Sequence, residues 1–254
     1  MASHRRSGTH WVIDTIRRNF PRVRPRFVTI EDLADSGGLA ALERLRQDLR
    51  TARGVTLLKT HLPAGLEPFA DRPEIRESIR ALVEGSRRIY VHRDGRDVLV
   101  SLYHYLQEFS VEAQGIDFST FLREENDYLP CGANGANRVE YWRAHVEGWL
   151  ARPGIHRIAY ESMHSDHEAV VNRIVEGLDI GPAAARLKRV TLPSRSLWAR
   201  ARRRLGRRLF PRQTSSAVRP RTGHVGDWKT HFSEVDRALF DSQAGDLLTR
   251  LAST

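Results

Sequence analysis

Three short apolar runs set the fold class. GVTLLKT (54–60), RRIYVHR (87–93) and IHRIAYE (155–161) are brief stretches of β-branched, aliphatic and aromatic side chains that end on polar ones. Longer segments with helical periodicity alternate with them: HWVIDTIRRNF (10–20), ALERLRQDLR (41–50), GRDVLVSLYHYLQEF (95–109), ANRVEYWRAHVEGWL (136–150) and HEAVVNRIVEGL (167–178). Strands separated by helices predict βαβ units and a parallel sheet. Ligands of such sheets bind beyond the carboxyl ends of the strands. Lys59 and His61 stand at one such end, and Arg93 at another.

The length of 254 residues suits one large α/β domain or two small ones, and no repeat or linker divides it. A single domain over 1–254 is expected, with the arginine-dense stretch from 195 to 220 as a mobile basic loop inside it. Within that stretch Arg200, Arg203, Arg204, Arg207 and Arg208 follow helical spacing. A solvated basic face, an acidic acceptor or nucleic acid would each explain them, and sparse aromatic interleaving disfavours the last. One cysteine, Cys131, excludes an intramolecular disulfide and a multi-cysteine metal site, which points to a reducing, cytoplasmic setting. No run of 18 apolar residues marks a membrane span. No secretory signal is expected at the start, and a transit-peptide reading of 1–13 is rejected because cleavage would remove a candidate site. The net charge of +10 favours anionic partners: nucleic acid, an acidic membrane or a multiply charged cofactor.

Three clusters carry chemistry. SHRRSGTHW (3–11) sets two arginines, a small-residue turn and hydroxyls ahead of a helix, so Arg5, Arg6, Ser7, Gly8 and Thr9 could hold an anion on unpaired N–H groups. It lacks the lysine of the nucleotide P-loop, and an ordinary capped helix with basic neighbours would look the same. IYVHRDGRDVLVSLYHY (89–105) puts Arg93 at a strand end and Ser101 about two helical turns on, where both could reach one phosphate; alternatively Asp94, Arg96 and Asp97 merely cap and solvate the helix. RTGHVGDWKTHF (221–232) offers Arg221 and two glycines for close ligand approach, or a hairpin-like loop docked by Trp228.

Taken in order, these segments resemble the cytosolic-type sulfotransferase family, which uses 3′-phosphoadenosine 5′-phosphosulfate (PAPS). RRSGTHW is similar to that family's P-K-S-G-T-T-W loop, KTHLP to its catalytic strand end, YVHRDGRDVLVSLYHY to its 3′-phosphate signature and RTGHVGDWKTHF to its R-K-G-x-x-G-D-W-K segment. YWRAHVEGWL (141–150) and YESM (160–163) match more softly. The resemblance implies an α/β fold with a central parallel sheet flanked by helices, the P-loop nucleotide-kinase-like sulfotransferase fold. It implies PAPS as donor, 3′,5′-bisphosphoadenosine (PAP) as product, and no metal. His61 would be the general base, Lys59 a cation on the transferring group, and Arg6 the holder of the 5′-phosphate. Arg93, Ser101, Arg221 and Gly223 would clamp the 3′-phosphate, and Trp11 and Tyr160 would flank the adenine. Arg6 stands where the family has lysine, His10 replaces its second threonine and is a further candidate donor, and Thr222 replaces the second cation of R-K-G. The family also has a sheet strand before the first loop, whereas here only Met1 to His4 precede it, so a stunted strand or a start further upstream is expected. The acceptor implied is a small molecule or glycan, with Phe69, Phe109 and Tyr128 as candidate walls; nothing sets an oligomeric state. Two other classes stay open: a P-loop-type kinase, and a non-catalytic PAP- or nucleic-acid-binding module. The remaining histidines, His104, His145 and His156 among them, read as structural or surface groups.

Overall fold

The computed structural model describes residues 1–111, 113–124, 135–184, 186–190 and 223–252, with backbone only at Pro25 and Arg26. The arginine stretch of 195–220, Cys131, Tyr128, Arg221 and Thr222 lie outside the described residues.

Five parallel strands form the centre: β1 (Ala2–Ser3), β2 (Val23–Thr29), β3 (Val55–Lys59), β4 (Arg88–His92) and β5 (Ile155–Ala159). β4 pairs with β1 on one side and β5 on the other, and β2 pairs with β3. A parallel bridge between Ala2 and Thr60 joins the two groups, with Ser3 N–H donating to the Thr60 carbonyl at 3.3 Å. The spatial order is therefore β2-β3-β1-β4-β5. The expected strand before the first loop exists and is two residues long.

Among the described residues the helices are α1 (Thr9–Asn19), α2 (Ile30–Thr51), α3 (Pro73–Glu84), α4 (Gly95–Phe109), α5 (Phe118–Arg123), α6 (Arg138–Leu150), α7 (Ser162–Ser165), α8 (His167–Leu178) and α9 (Glu234–Ala252), with short 3₁₀ turns at Glu67–Phe69 and Asp227–Thr230. Adjacent strand residues feed opposite cores. Leu57, Ile89 and Val91 pack with Trp11, Ile13, Ile16 and Val171 from α1 and α8, whereas Leu58 and Tyr90 pack with Leu42, Leu99, Trp142 and Phe240 from α2, α4, α6 and α9. Burial on both faces is why these strands read as continuous apolar runs rather than alternating ones.

The periodic segments became helices close to where their patterns predicted. α2 is the main difference: it starts at Ile30, and Gly38 breaks its helical geometry at φ 57° and ψ −155°. Gly37-Gly38 hid the first half, since glycine weakens any helical pattern. β2 carries arginines and a proline in VRPRFVT, so its sequence does not look like a strand beside a buried one. The last described segment is not a docked hairpin: Gly226 at φ 82° turns the chain into the 3₁₀ turn that leads to α9.

Several histidines are buried in the neutral form. Burial is the main cause that lowers His4 from 6.5 to about 4 and His145 to about 3. The unfolded chain takes up these protons first, so stability is held above pH 6.5 and lost as pH falls from there toward the folded values. Each such histidine costs about 1.4 kcal/mol per pH unit over that window. Thermal denaturation should therefore show the melting temperature falling steeply below about pH 6.5, and His145→Phe should flatten the slope even though it weakens the fold near neutrality.

Candidate active site

The chain runs from β1 out to β2, returns to β3, then crosses β1 to reach β4. The direction of winding reverses at β1, and the carboxyl ends flanking such a reversal form a crevice. Lys59 and His61 (β3), the 4–8 loop (β1), Arg93 (β4) and Tyr160 (β5) all gather there.

His61 is held at three atoms. Its backbone N–H donates to Glu31 Oε1 at 2.8 Å, and its carbonyl accepts from His145 Nε2 at 3.1 Å. Its ring Nδ1 lies 2.8 Å from the Ser3 carbonyl oxygen and 3.2 Å from Ser3 Oγ. A carbonyl oxygen can only accept, so Nδ1 carries the proton and Nε2 keeps its lone pair. Burial, followed by Lys59 and Arg5, pushes the imidazole well below its ordinary 6.5. It is neutral at pH 7, with the basic nitrogen fixed by a backbone contact. Behind it, His145 Nε2 must donate to the His61 carbonyl, so His145 Nδ1 accepts from the Tyr90 hydroxyl at 2.9 Å. His145 is thus a structural group that holds the main chain of His61.

Lys59 is buried at the end of β3, with its ammonium 5.9 Å from the centre of the Phe27 ring. Burial lowers its pKa most; Glu31 and Asp32 raise it and Arg5 lowers it. His10, in the first turn of α1, is lowered to about 4 by burial, Lys59 and Arg6, so it too is neutral. Lys59, His61, His10 and Arg5 therefore share one electrostatic neighbourhood.

Arg6, which the resemblance assigns to the 5′-phosphate, faces α4: its Nε donates to Ser101 Oγ at 3.1 Å and its guanidinium lies 5.0 Å from the Tyr105 ring centre. Consecutive residues of the loop point apart, and Arg6 adopts φ 70°. Arg5, which was read only as a loop donor, is the one whose charge acts on Lys59 and His61. Burial lowers Arg6 to about 10, so it remains a cation at pH 7.

The second cluster packs around Arg93. Arg93 is buried, its guanidinium lies 4.3 Å from the Tyr160 ring centre, and Nη2 donates to the His224 carbonyl at 2.9 Å. Asp94 does cap α4, accepting from the Arg96 N–H at 2.9 Å. Asp97 does more than solvate the helix. Its Oδ2 accepts from Gly226 N–H at 2.8 Å, its Oδ1 accepts from Trp228 N–H at 3.0 Å, and Arg93 Nη2 is 3.6 Å away. Sequence reasoning missed this carboxylate, which ties the GDW segment and Arg93 to one helix. Trp228 is half-buried at the edge of the core, against Phe232, with Arg96 3.8 Å from its ring centre.

Tyr160 and Trp11 touch one another edge-to-face at 5.4 Å between ring centres, so the two rings leave no slot between them for a base. Tyr160 instead braces two loops. Its hydroxyl donates to the Gly223 carbonyl at 2.9 Å, and its ring lies so close to Gly8 that a Cβ there would sit 2.3 Å from Cδ2. Gly8 also adopts φ 89° as the N-cap of α1, a conformation that glycine adopts without strain. Among the candidate acceptor walls, Phe69 is buried in the core and Phe109 is exposed.

The arrangement invites an anion. Arg5 Nε and Arg93 Nε are buried with no hydrogen-bond acceptor among the described residues. The first turn of α1 has no acidic residue and no side-chain cap, so its N–H groups and dipole are not neutralised. Among the described residues no group of three or more metal-ligating side chains occurs.

The sulfotransferase domain model matches residues 1–251. The chain belongs to the sulfotransferase domain family. Mouse sulfotransferase 1E1 is 26% identical over 202 residues, which cover 77% of this chain and 62% of that protein. Mouse sulfotransferase 2A6 is 24% identical over 251 residues, covering 93% of this chain and 79% of its own. The chain thus spans less than two thirds of the first of these relatives. The crystal structure of mouse sulfotransferase SULT7A1 complexed with PAP superimposes with a TM-score of 0.60 at 19% identity, over 96% of this chain and 82% of that one. That likeness confirms the fold: a central parallel sheet flanked by helices. No helix among the described residues is long and apolar enough to cross a membrane.

Asp97→Asn should loosen the 223–230 segment, because an amide cannot accept at both oxygens and leaves Arg93 without its nearby charge. A cost of about 3 kcal/mol is expected, read as a lower urea midpoint at unchanged m-value.

Proposed function

We propose that the protein is a PAPS-dependent sulfotransferase, with His61 as general base, acting on a hydroxyl or amine of a small-molecule or glycan acceptor. The observation that carries this reading is the fixed tautomer of His61, whose free Nε2 stands two residues from a buried ammonium on the same strand end. Family membership and a structural neighbour complexed with PAP support the donor. They also leave the kinase alternative without support.

PAPS supplies an activated sulfuryl group, transferred as its bond to the 5′-phosphate oxygen breaks and a bond to the acceptor forms. His61 Nε2 takes the acceptor's proton, which typically contributes about 10²–10⁴-fold. Lys59 places positive charge against the transferring group. Arg5, together with the N–H groups of Gly8, Thr9 and His10 and the hydroxyl of Ser7, receives the 5′-phosphate. Arg93 and Ser101 hold the 3′-phosphate, with Gly223 alongside and Arg221 and Thr222 next in the chain. Arg6, bonded to Ser101, links the two phosphate subsites rather than acting on the reacting bond. Tyr160 and Trp11 form a wall rather than a stacking slot. Each charge-assisted hydrogen bond is worth about 1.5–3 kcal/mol net, so orphaned donors on Arg5 and Arg93 are suited to a multiply charged ligand. The bound negative charge would also lift the pKa of His61, making it a stronger base only when the donor is present.

His61→Ala should lower transfer from labelled PAPS by about 10²–10⁴-fold while PAP affinity by calorimetry stays within a few-fold. A variant as active as the parent removes the base. The acid limb of the parent's rate profile without saturating donor should lie below pH 6.5, since the imidazole stays neutral until its lowered value is reached. Arg93→Ala should weaken PAP far more than adenosine 5′-phosphosulfate, and equal losses would count against a 3′-phosphate clamp.

A further inference from the structure

Glu31 is a buried acid that the mechanism above does not use. It lies in the first turn of α2, two residues beyond Thr29, and Thr29 pairs with Lys59 across the β2–β3 ladder. Its side chain is thereby carried over the end of β3. Only 7% of the residue is exposed. Oε1 accepts from the His61 N–H at 2.8 Å, while Oε2 is buried with no hydrogen-bond partner among the described residues.

A carboxylate is an expensive group for one backbone N–H. A neutral amide or hydroxyl accepts the same bond at a lower desolvation cost. The charge therefore needs a second reason; Glu31 favours the charged forms of both the Met1 amino group and Lys59, but burial takes the former down to about 5, which leaves Lys59, two residues before His61, as the cation at neutral pH. We propose that Glu31 is a positioning residue for the reaction: it anchors the main chain of the base and is the counter-charge for Lys59. This rests on the sulfotransferase reading above.

The groups that act on Lys59 come from several elements. Glu31 and Asp32 on α2 raise its pKa, and Arg5 in the loop after β1 lowers it. His10 on α1 and His61 are coupled to it, and the Phe27 ring of β2 covers it. Burial is the largest cause and acts against the charge. Glu31 is the leading opposition to that burial. Without it Lys59 gives up its proton at lower pH, and the cation at the reacting centre is lost from the alkaline side first.

Glu31→Gln separates the two tasks, since glutamine still accepts from the His61 N–H but carries no charge. The chain has three lysines, Lys59, Lys188 and Lys229, so the latter two act as internal controls. Competitive acetylation of the full chain as a function of pH, read by mass spectrometry, gives each titration midpoint without any assay of turnover. The midpoint of Lys59 should fall by about one pH unit or more in Glu31→Gln, with Lys188 and Lys229 unmoved. The alkaline limb of transfer from labelled PAPS should move down with it, while calorimetric PAP affinity stays within a few-fold. An unchanged Lys59 midpoint in Glu31→Gln overturns the counter-charge, because a purely structural acceptor role predicts that variant to behave as the parent. If the parent itself gives no heat with PAP, the sulfotransferase reading fails and takes the catalytic role of Glu31 with it, whatever the acetylation shows.

Discussion

The site depends on the main chain of Ser3. This residue belongs to a strand only two residues long, yet its N–H bonds to Thr60 and joins the halves of the sheet, and it sits in register with Val91 of β4. Its carbonyl also receives the Nδ1 proton of His61. One residue therefore closes the sheet with its N–H and sets the tautomer of His61 with its carbonyl. Because backbone cannot swap donor for acceptor, that tautomer is fixed by the fold and not by a side chain that could rotate away.

The second constraint is charge. Arg5, Arg6, Lys59 and Arg93 converge where Glu31 and Asp97 are the buried acids, and both are already engaged by backbone N–H groups. Burial disfavours each of the charges it covers, as the lowered pKa of Lys59, Arg6 and the nearby histidines records. Such a cluster is costly when empty and is relieved by a polyanion. The contacts of these cations to Ser101, the His224 carbonyl and Asp97 offset only part of that cost, so an anion placed among them would be favoured.

Much of this was legible in the chain itself. The apolar runs and their polar ends located β3 and β4, because strands buried on both faces need unbroken hydrophobicity, whereas the edge strand β5 exposes His156 and Arg157 and showed only by its aliphatic residues. KTHLP marked the end of β3 and the Arg93–Ser101 stretch the step from β4 into α4, because strand ends and helix turns fix side-chain position locally. What stayed hidden depends on tertiary placement. β2 carries Pro25 and several arginines, so it resembles a loop until β3 pairs with it. Which way Arg5 and Arg6 point is set by the positive φ of Arg6, and no spacing rule records that. Asp97 reads as an ordinary first-turn helix acid and Glu31 lies in the half of α2 that the glycines hid, so only the loops that return to them reveal their contacts.

The contact between Gly8 and Tyr160 has an evolutionary consequence. Any side chain at position 8 would need both a left-handed backbone and the space that the phenol ring fills. Removing that ring makes room, but it also unhooks Gly223 and uncovers Arg93. Neither position can drift alone, so descendants of this chain that keep the pocket should inherit the two residues as a pair, while lineages that lose one are free to lose the other.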